Sequence, residues 1–218
     1  MEVLVPFSAD RPKSRLADTL SPSERAAFAR TMLADVLAAI GDAGGSPRIL
    51  ATDGFDPTDE PTVPLDPPVT VDDRPLTDAV NAVLEERRPG GEGDPLAVVM
   101  ADLALATPAA LRELFAAGRD ADVAVVPGRG GGTNALVVSH PRFRVDYHGA
   151  SYLDHRRIAA DVGAGFAAVD SHRLGTDIDE TDDLAEVLIH GEGQAATWLR
   201  EAGFALDASE GRVAVVRE

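Results

Sequence analysis

The amino-acid sequence predicts an α/β protein, a mainly parallel sheet with helices on both faces. Three observations lead there. Apolar runs such as "EVLVPF" (2–7) and "DPLAVVMAD" (94–102) lack the alternation of a half-exposed strand, so both faces are expected to be buried. Segments of helical period, roughly 10–15 residues long, alternate with those runs, as in a sheet built by crossovers. At 218 residues the chain supports one such unit with a sizeable core, and 1–218 is read as a single domain.

The elements follow in order. "EVLVPF" is a buried first strand, followed by a polar loop carrying Arg11, Lys13 and Arg15. In "LSPSERAAFARTMLADVLAAIG", Ser21 is a candidate N-cap, Pro22 fits the first helical position and Glu24 completes a capping box. Phe28, Met32, Val36 and Ile40 then recur at helical spacing, and Gly41 ends the run. "RILAT" is the second strand, ending at Asp53, and "VTV" a short third. "PLTDAVNAVLEERR" reads as a helix, "DPLAVVMAD" as a strand ending at Asp102, and "TPAALRELFAAG" as a helix capped by Thr107. "DVAVVP" and "TNALVVS" are strands joined by "GRGGG"; "SYLDHRRIAADVG" is a helix with Ser151 at its N-cap, and "GFAAVD" a strand. "DETDDLAEVLIHG" and "QAATWLREAGF" are helices, and "RVAVVRE" an edge strand.

Composition excludes several classes. A net charge of −17 is the wrong sign for a nucleic-acid footprint. No apolar run approaches the roughly 20 residues that span a bilayer, and no basic leader precedes an apolar stretch. There is no cysteine for a disulfide or thiolate site. A cytoplasmic protein without membrane partners is expected. With 24 Asp, 13 Glu and 19 Arg against a single Lys, the chain fits a halophilic archaeon, where high internal salt screens self-repulsion.

That lysine is Lys13, in "RPKSRL". An ammonium serves phosphate as a point charge that a guanidinium fork does not reproduce. Ligands of such sheets sit beyond the carboxyl ends of the strands. The loop with Arg11, Lys13 and Arg15, then Asp53, Asp102 and "TDID" (176–179), all fall there. In an extended T-D-I-D, Asp177 and Asp179 point one way and Ile178 the other, into a core. Like charges that close need a cation, and hard carboxylate oxygens suit Mg²⁺. Asp102, Asp177 and Asp179 thus form a candidate metal set, with Lys13 and its neighbouring arginines facing phosphates. Such parts suit nucleotidyl transfer. In "GRGGGTNALVVS" the glycines allow close backbone approach, and Thr133 and Asn134 supply donors. Ser151, at a helix start, faces an anion, and His155 with Arg142, Arg144, Arg156 and Arg157 makes the most basic stretch.

"RPKSRL", "LSPSERAAFARTMLADVL", "VVMADLAL", "GGTNALVV", "DYHGASYLDH" and "GTDIDETDDL" occur in one order over nearly the whole chain. In this the sequence resembles the 2-phospho-L-lactate guanylyltransferases, among the molybdenum-cofactor-guanylyltransferase-like nucleotidyltransferases. The resemblance implies a nucleotide-diphospho-sugar-transferase-like (Rossmann-like) fold. It also implies a reaction of GTP with the phosphate of 2-phospholactate, in coenzyme F-420 biosynthesis. By the same match Asp102, Asp177 and Asp179 would hold Mg²⁺ and Lys13 would contact the triphosphate, while Thr133, Gly149 and Ser151 would hold the phosphorylated three-carbon acid. A homodimer is the assembly to look for. The chain departs from the family pattern at "DLAL" after Asp102, at Thr77 where Asn is frequent, and at His148 where Gly is common. Two rivals stand: the same fold with another acceptor, such as phosphoenolpyruvate or 3-phosphoglycerate, and a non-catalytic nucleotide-binding module.

Overall fold

A computed structural model describes residues 1–8, 13–52, 54, 66–91, 93–209, 211 and 213–217. Seven strands form the main sheet: β1 (Glu2–Phe7), β2 (Ser46–Ala51), β3 (Val69–Val71), β4 (Leu96–Val99), β5 (Val123–Pro127), β6 (Thr133–Val138) and β7 (Phe166–Ala168). Their spatial order is β3-β2-β1-β4-β6-β5-β7. All neighbours pair in parallel except β6, which is antiparallel to both β4 and β5. Loop 128–132 is too short for a crossover, so β5 and β6 can only form a hairpin. This reversal positions the site. The start of β6, not its end, lies beside the end of β4, where the Met100 N–H donates to the Asn134 carbonyl at 3.0 Å.

The helices are α1 (Pro22–Asp42), α2 (Leu76–Arg87), α3 (Pro108–Asp120), α4 (Ser151–Val162), α5 (His172–Gly175), α6 (Asp183–His190) and α7 (Gln194–Glu201). Strand residues alternate between two cores. Val3, Val5, Ala97, Val99, Ala135 and Val137 pack with Leu33, Leu37 and Ile40 of α1 and Leu111 and Leu114 of α3. Leu4, Leu96, Val98, Leu136 and Val138 face Val80 and Leu84 of α2 and Ala159 of α4. Both faces of the strands are therefore buried, as their unbroken apolar runs predict. A third cluster joins Phe28 and Met32 of α1 to Leu184 and Val187 of α6 and Leu199 of α7, and contains Ile178.

The N-terminal signals of α1 form as predicted: Ser21 Oγ accepts from the Glu24 N–H and the Glu24 carboxylate from the Ser21 N–H. Thr107 caps α3 from one side only, its Oγ1 accepting from the Ala110 N–H. Several boundaries differ. Strand β4 stops at Val99, so Asp102 lies in the turn beyond it. Helix α1 runs through Gly41 to Asp42. Helix α6 starts only at Asp183, after a turn closed by that residue's own carboxylate. Ser151 is the first helical residue and Ala150 its cap, so no Ser151 side-chain cap exists. "RVAVVRE" does not extend the main sheet: β9 (Ala214–Arg217) pairs with β8 (Phe204–Asp207) in a separate hairpin. Among the described residues no helix is long and apolar enough to cross a membrane.

Candidate active site

Lys13 precedes a single 3-10 turn (Ser14–Leu16) and sits in the left-handed region at φ 54°, ψ 48°. A residue with a Cβ enters that region at a cost of about 1–2 kcal/mol. The conformation comes with a specific result. Nζ donates to Asp102 Oδ2 at 2.6 Å and to Asp179 Oδ1 at 2.7 Å, with the Lys13 side chain only 10% exposed. Burial works to lower the Lys13 pKa, but the charges of Asp102 and then Asp179 more than offset it, and the net shift is upward. The ammonium is therefore a permanent charge. Arg15 adds a weaker contact, 3.5 Å from Asp179 Oδ2.

Asp102 sits in an environment that works against its charge. Burial dominates and raises its pKa; Lys13 opposes the rise, while the charges of Asp179 and Asp177 add to it. Oδ2 is taken by Lys13, but Oδ1 is buried without a hydrogen-bond partner among the described residues. A buried oxygen of this kind fits a cation or a donor. The T-D-I-D segment is anchored below it. Ile178 is fully buried, and its N–H donates to the Asp102 carbonyl at 3.3 Å. On either side the two aspartates part company: Asp179 goes to Lys13, and Asp177 Oδ1 accepts from Asn134 Nδ2 at 3.1 Å. The three carboxylates do not close into a tight ligand cluster; Lys13 stands between two of them. Their oxygens suit a hard divalent ion, which would complete Asp102 Oδ1 once the ammonium yields.

Lys13, Arg15, Asp102 and Asp179 line a cleft of about 400 Å³ that also takes in Phe7, Ser8, Ser14, Met32 and Met100; Asp177 is not among its lining residues. A second recess of about 240 Å³ shares Phe7, Ser8 and Met100 and continues to Leu50, Leu76 and Ala79. Both lie at the carboxyl ends of β1 and β4.

On the other side of Asp177, loop 128–132 and the start of α4 meet. Gly131 has φ +85°, and its carbonyl accepts from the Tyr152 N–H. A side chain at Gly128 would collide with Asn134, its Cβ 2.3 Å from Oδ1, so this glycine allows the Asn134–Asp177 contact. Thr133, Asn134 and Ser151 are buried here, and Gly149 turns the chain at φ +57°.

His155 needs correction as a ligand-facing residue. It is fully buried, and the Asp146 N–H donates to Nε2 at 2.9 Å. Nε2 is therefore an acceptor, so Nδ1 carries the proton and donates to Thr133 Oγ1, 2.9 Å away. Burial pushes the His155 pKa down to about 4, so the ring is neutral. It orients Thr133 instead of meeting a ligand. Within the basic stretch, Arg142 and Arg144 bond backbone carbonyls, and Arg157 pairs with Asp154 and Asp161 on its own helix. Arg11 and Asp53 lie outside the described residues.

Other groups emerge only in three dimensions. Asp183 Oδ2 accepts from the N–H groups of Asp179 and Glu180, fixing the turn that follows Ile178. Thr77 Oγ1 accepts from the Tyr147 N–H, and Asn81 holds Val145 through both its N–H and carbonyl. Thr77 thus ties α2 to the segment preceding α4. Asp183 had a signal, an acid at the start of a helical run; Asn81, a mid-helix amide, had none.

Known proteins share this framework. A nucleotide-diphospho-sugar transferase structure from Desulfovibrio desulfuricans superposes with a TM-score of 0.73 at 12% identity, covering 92% of this chain and 94% of that one. At such identity the likeness is one of fold. Sequence carries more. The 2-phospho-L-lactate guanylyltransferase of Halorubrum lacusprofundi is 66% identical over the full length of both chains. That of Haloterrigena turkmenica is 62% identical, covering all of this chain and 97% of its own. The family model for CofC-like guanylyl transferases matches residues 1–218, and this chain belongs to that family.

Proposed function

We propose that the protein joins GTP to 2-phospho-L-lactate, giving lactyl-2-diphospho-5'-guanosine and pyrophosphate in coenzyme F-420 biosynthesis, with Mg²⁺ as the metal. The observation that carries the reading is the buried Lys13 ammonium held between Asp102 and Asp179 in a cleft at the carboxyl ends of β1 and β4. The apolar recess beyond Phe7 takes the guanine, and the triphosphate runs along the loop carrying Lys13 and Arg15. Lys13, charged throughout, exchanges its carboxylate partners for phosphate oxygens. Asp102, Asp177 and Asp179 would hold Mg²⁺, which would supply charge neutralisation for the triphosphate and the departing pyrophosphate.

Thr133, Gly149 and Ser151 present the phosphorylated acid from the opposite side. A phosphate oxygen of that acid forms a bond to the α-phosphorus of GTP as the bond from that phosphorus to the α,β-bridging oxygen breaks. The attacking phosphate is already anionic, so no protein group need take a proton. Positioning and charge do the work. Neutral His155 holds the Thr133 hydroxyl as an acceptor from Nδ1, which leaves that hydroxyl's proton for the substrate.

Pyrophosphate release tests the reading. Purified protein in high salt with Mg²⁺ is given GTP or ATP against 2-phospholactate, phosphoenolpyruvate and 3-phosphoglycerate. Turnover is expected with GTP and 2-phospholactate. Turnover with a different acid would replace the acceptor and keep the chemistry, whereas folded protein inactive with every pair would overturn the reading.

A further inference from the structure

Outside the residues that line this cleft, at α5 and α6, lies a cluster to which no step above assigns a role. His172 opens α5, and Glu186 and His190 stand one turn apart on α6. Both imidazoles aim Nε2 at the same oxygen, Glu186 Oε2, at 3.6 and 3.7 Å. The rings meet edge to face with centroids 5.1 Å apart. Those separations are too long for good N–H···O bonds, which fall near 2.7–3.2 Å. They match a different geometry. Ligand atoms about 2.0–2.1 Å from a tetrahedral ion lie roughly 3.4 Å from one another. One ligand atom from each of the three residues falls within 4.8 Å of the other two, the only group of three among the described residues to do so.

We infer that His172, Glu186 and His190 form a binding site for a divalent transition-metal ion, which clamps α5 to α6. Two imidazoles and one carboxylate suit Zn²⁺ and ions of similar preference, and disfavour Mg²⁺, which takes oxygen ligands. The side chains are 28–52% exposed, so water completes the coordination. The helices already touch here, through the Arg173 guanidinium donating to the His190 carbonyl. The clamp has a defined consequence. Helix α5 ends at Gly175 and α6 begins at Asp183, so the ion closes the base of the loop that carries Asp177 and Asp179. It would restrain that loop without entering the cleft.

The site is independent of the proposed reaction, since it is tested without substrates. The full-length protein is titrated with Zn²⁺ by calorimetry in high salt, which screens non-specific attraction to the acidic surface. Saturating Mg²⁺ occupies the oxygen-rich centre. One equivalent is expected to bind, with affinity weakened about tenfold or more in His190→Ala and lost in His172→Ala/His190→Ala. Absence of saturable binding, or equal binding by the double variant, would overturn the site. If the variants fail to fold, Co²⁺ added to the unaltered protein decides. Nitrogen ligation in a low-symmetry site gives strong visible absorption that Zn²⁺ displaces, and a spectrum like that of the hydrated ion would overturn the assignment. Amide exchange over residues 176–179 is expected to slow on Zn²⁺ binding, and unchanged exchange in the loaded protein would overturn the clamp.

Discussion

Removing the Lys13 ammonium would leave Asp102 and Asp179 facing each other without the cation that now lies between them. Lys13→Met is expected to abolish turnover and to lower stability at neutral pH by about 2–3 kcal/mol, somewhat under the cost of breaking a fully buried pair because both carboxylates keep some water. The deficit should narrow as pH falls and Asp102, whose pKa burial raises, takes up a proton, which denaturation of both proteins at pH 7 and pH 4 would measure. His155 makes the opposite demand. Its folded pKa lies near 4 against an ordinary 6.5, so between those values the unfolded chain binds a proton that the folded chain refuses. Stability from this group is complete above pH 6.5 and falls by about 3 kcal/mol as pH drops to 4. His155→Gln is expected to be less stable at pH 7 yet to lose less on acidification, a difference of slopes that denaturant midpoints would show. Lys13 was legible because it is the only lysine, and Asp102 because it follows an apolar run. The neutrality of His155 was not, since it depends on a burial that folding alone creates, and its tautomer on an Asp146 N–H that folding brings to Nε2.

Local chemistry writes most elements plainly. Ser21, Pro22 and Glu24 locate the start of α1 to the residue, and Thr107 does the same for α3, because capping is settled within four residues. Elements without such signals were missed. Helix α5 is four residues long and shows no period, and β8 reads as a strand only beside β9. The T-D-I-D segment shows what extended spacing leaves open. It buries Ile178 as expected, but its two carboxylates are claimed by different neighbours, Asn134 and Lys13. The Asn134 amide is the link between the start of β6 and the proposed metal-holding turn. Asn134→Ala is expected to lower kcat by roughly 10–100-fold through misplacement of Asp177, with the Mg²⁺ requirement shifted to higher concentration. Steady-state rates across a Mg²⁺ series would check both.

Over the whole molecule, alternating strands and helices made the sheet and its two covered faces readable, but not the strand order. Whether β6 or β5 lies beside β4 depends on pairing across tens of residues, which no local pattern records. Net charge is the other global property. At −17 the folded chain repels itself, and the Tm is expected to rise steeply from low to molar salt, by scanning calorimetry, as screening takes effect. The lone lysine has a consequence for experiment. Apart from the α-amine at Met1, the chain holds one primary amine, and it lies inside the cleft, protonated and only 10% exposed. An amine-directed acylating reagent therefore has a single side chain to modify, and the mass of the peptide carrying Lys13, cleaved away from the Met1 amine, reports its accessibility. The protein carries its own occupancy gauge: a mass increment at Lys13 counts the molecules whose cleft has opened, with no tag, dye or engineered residue.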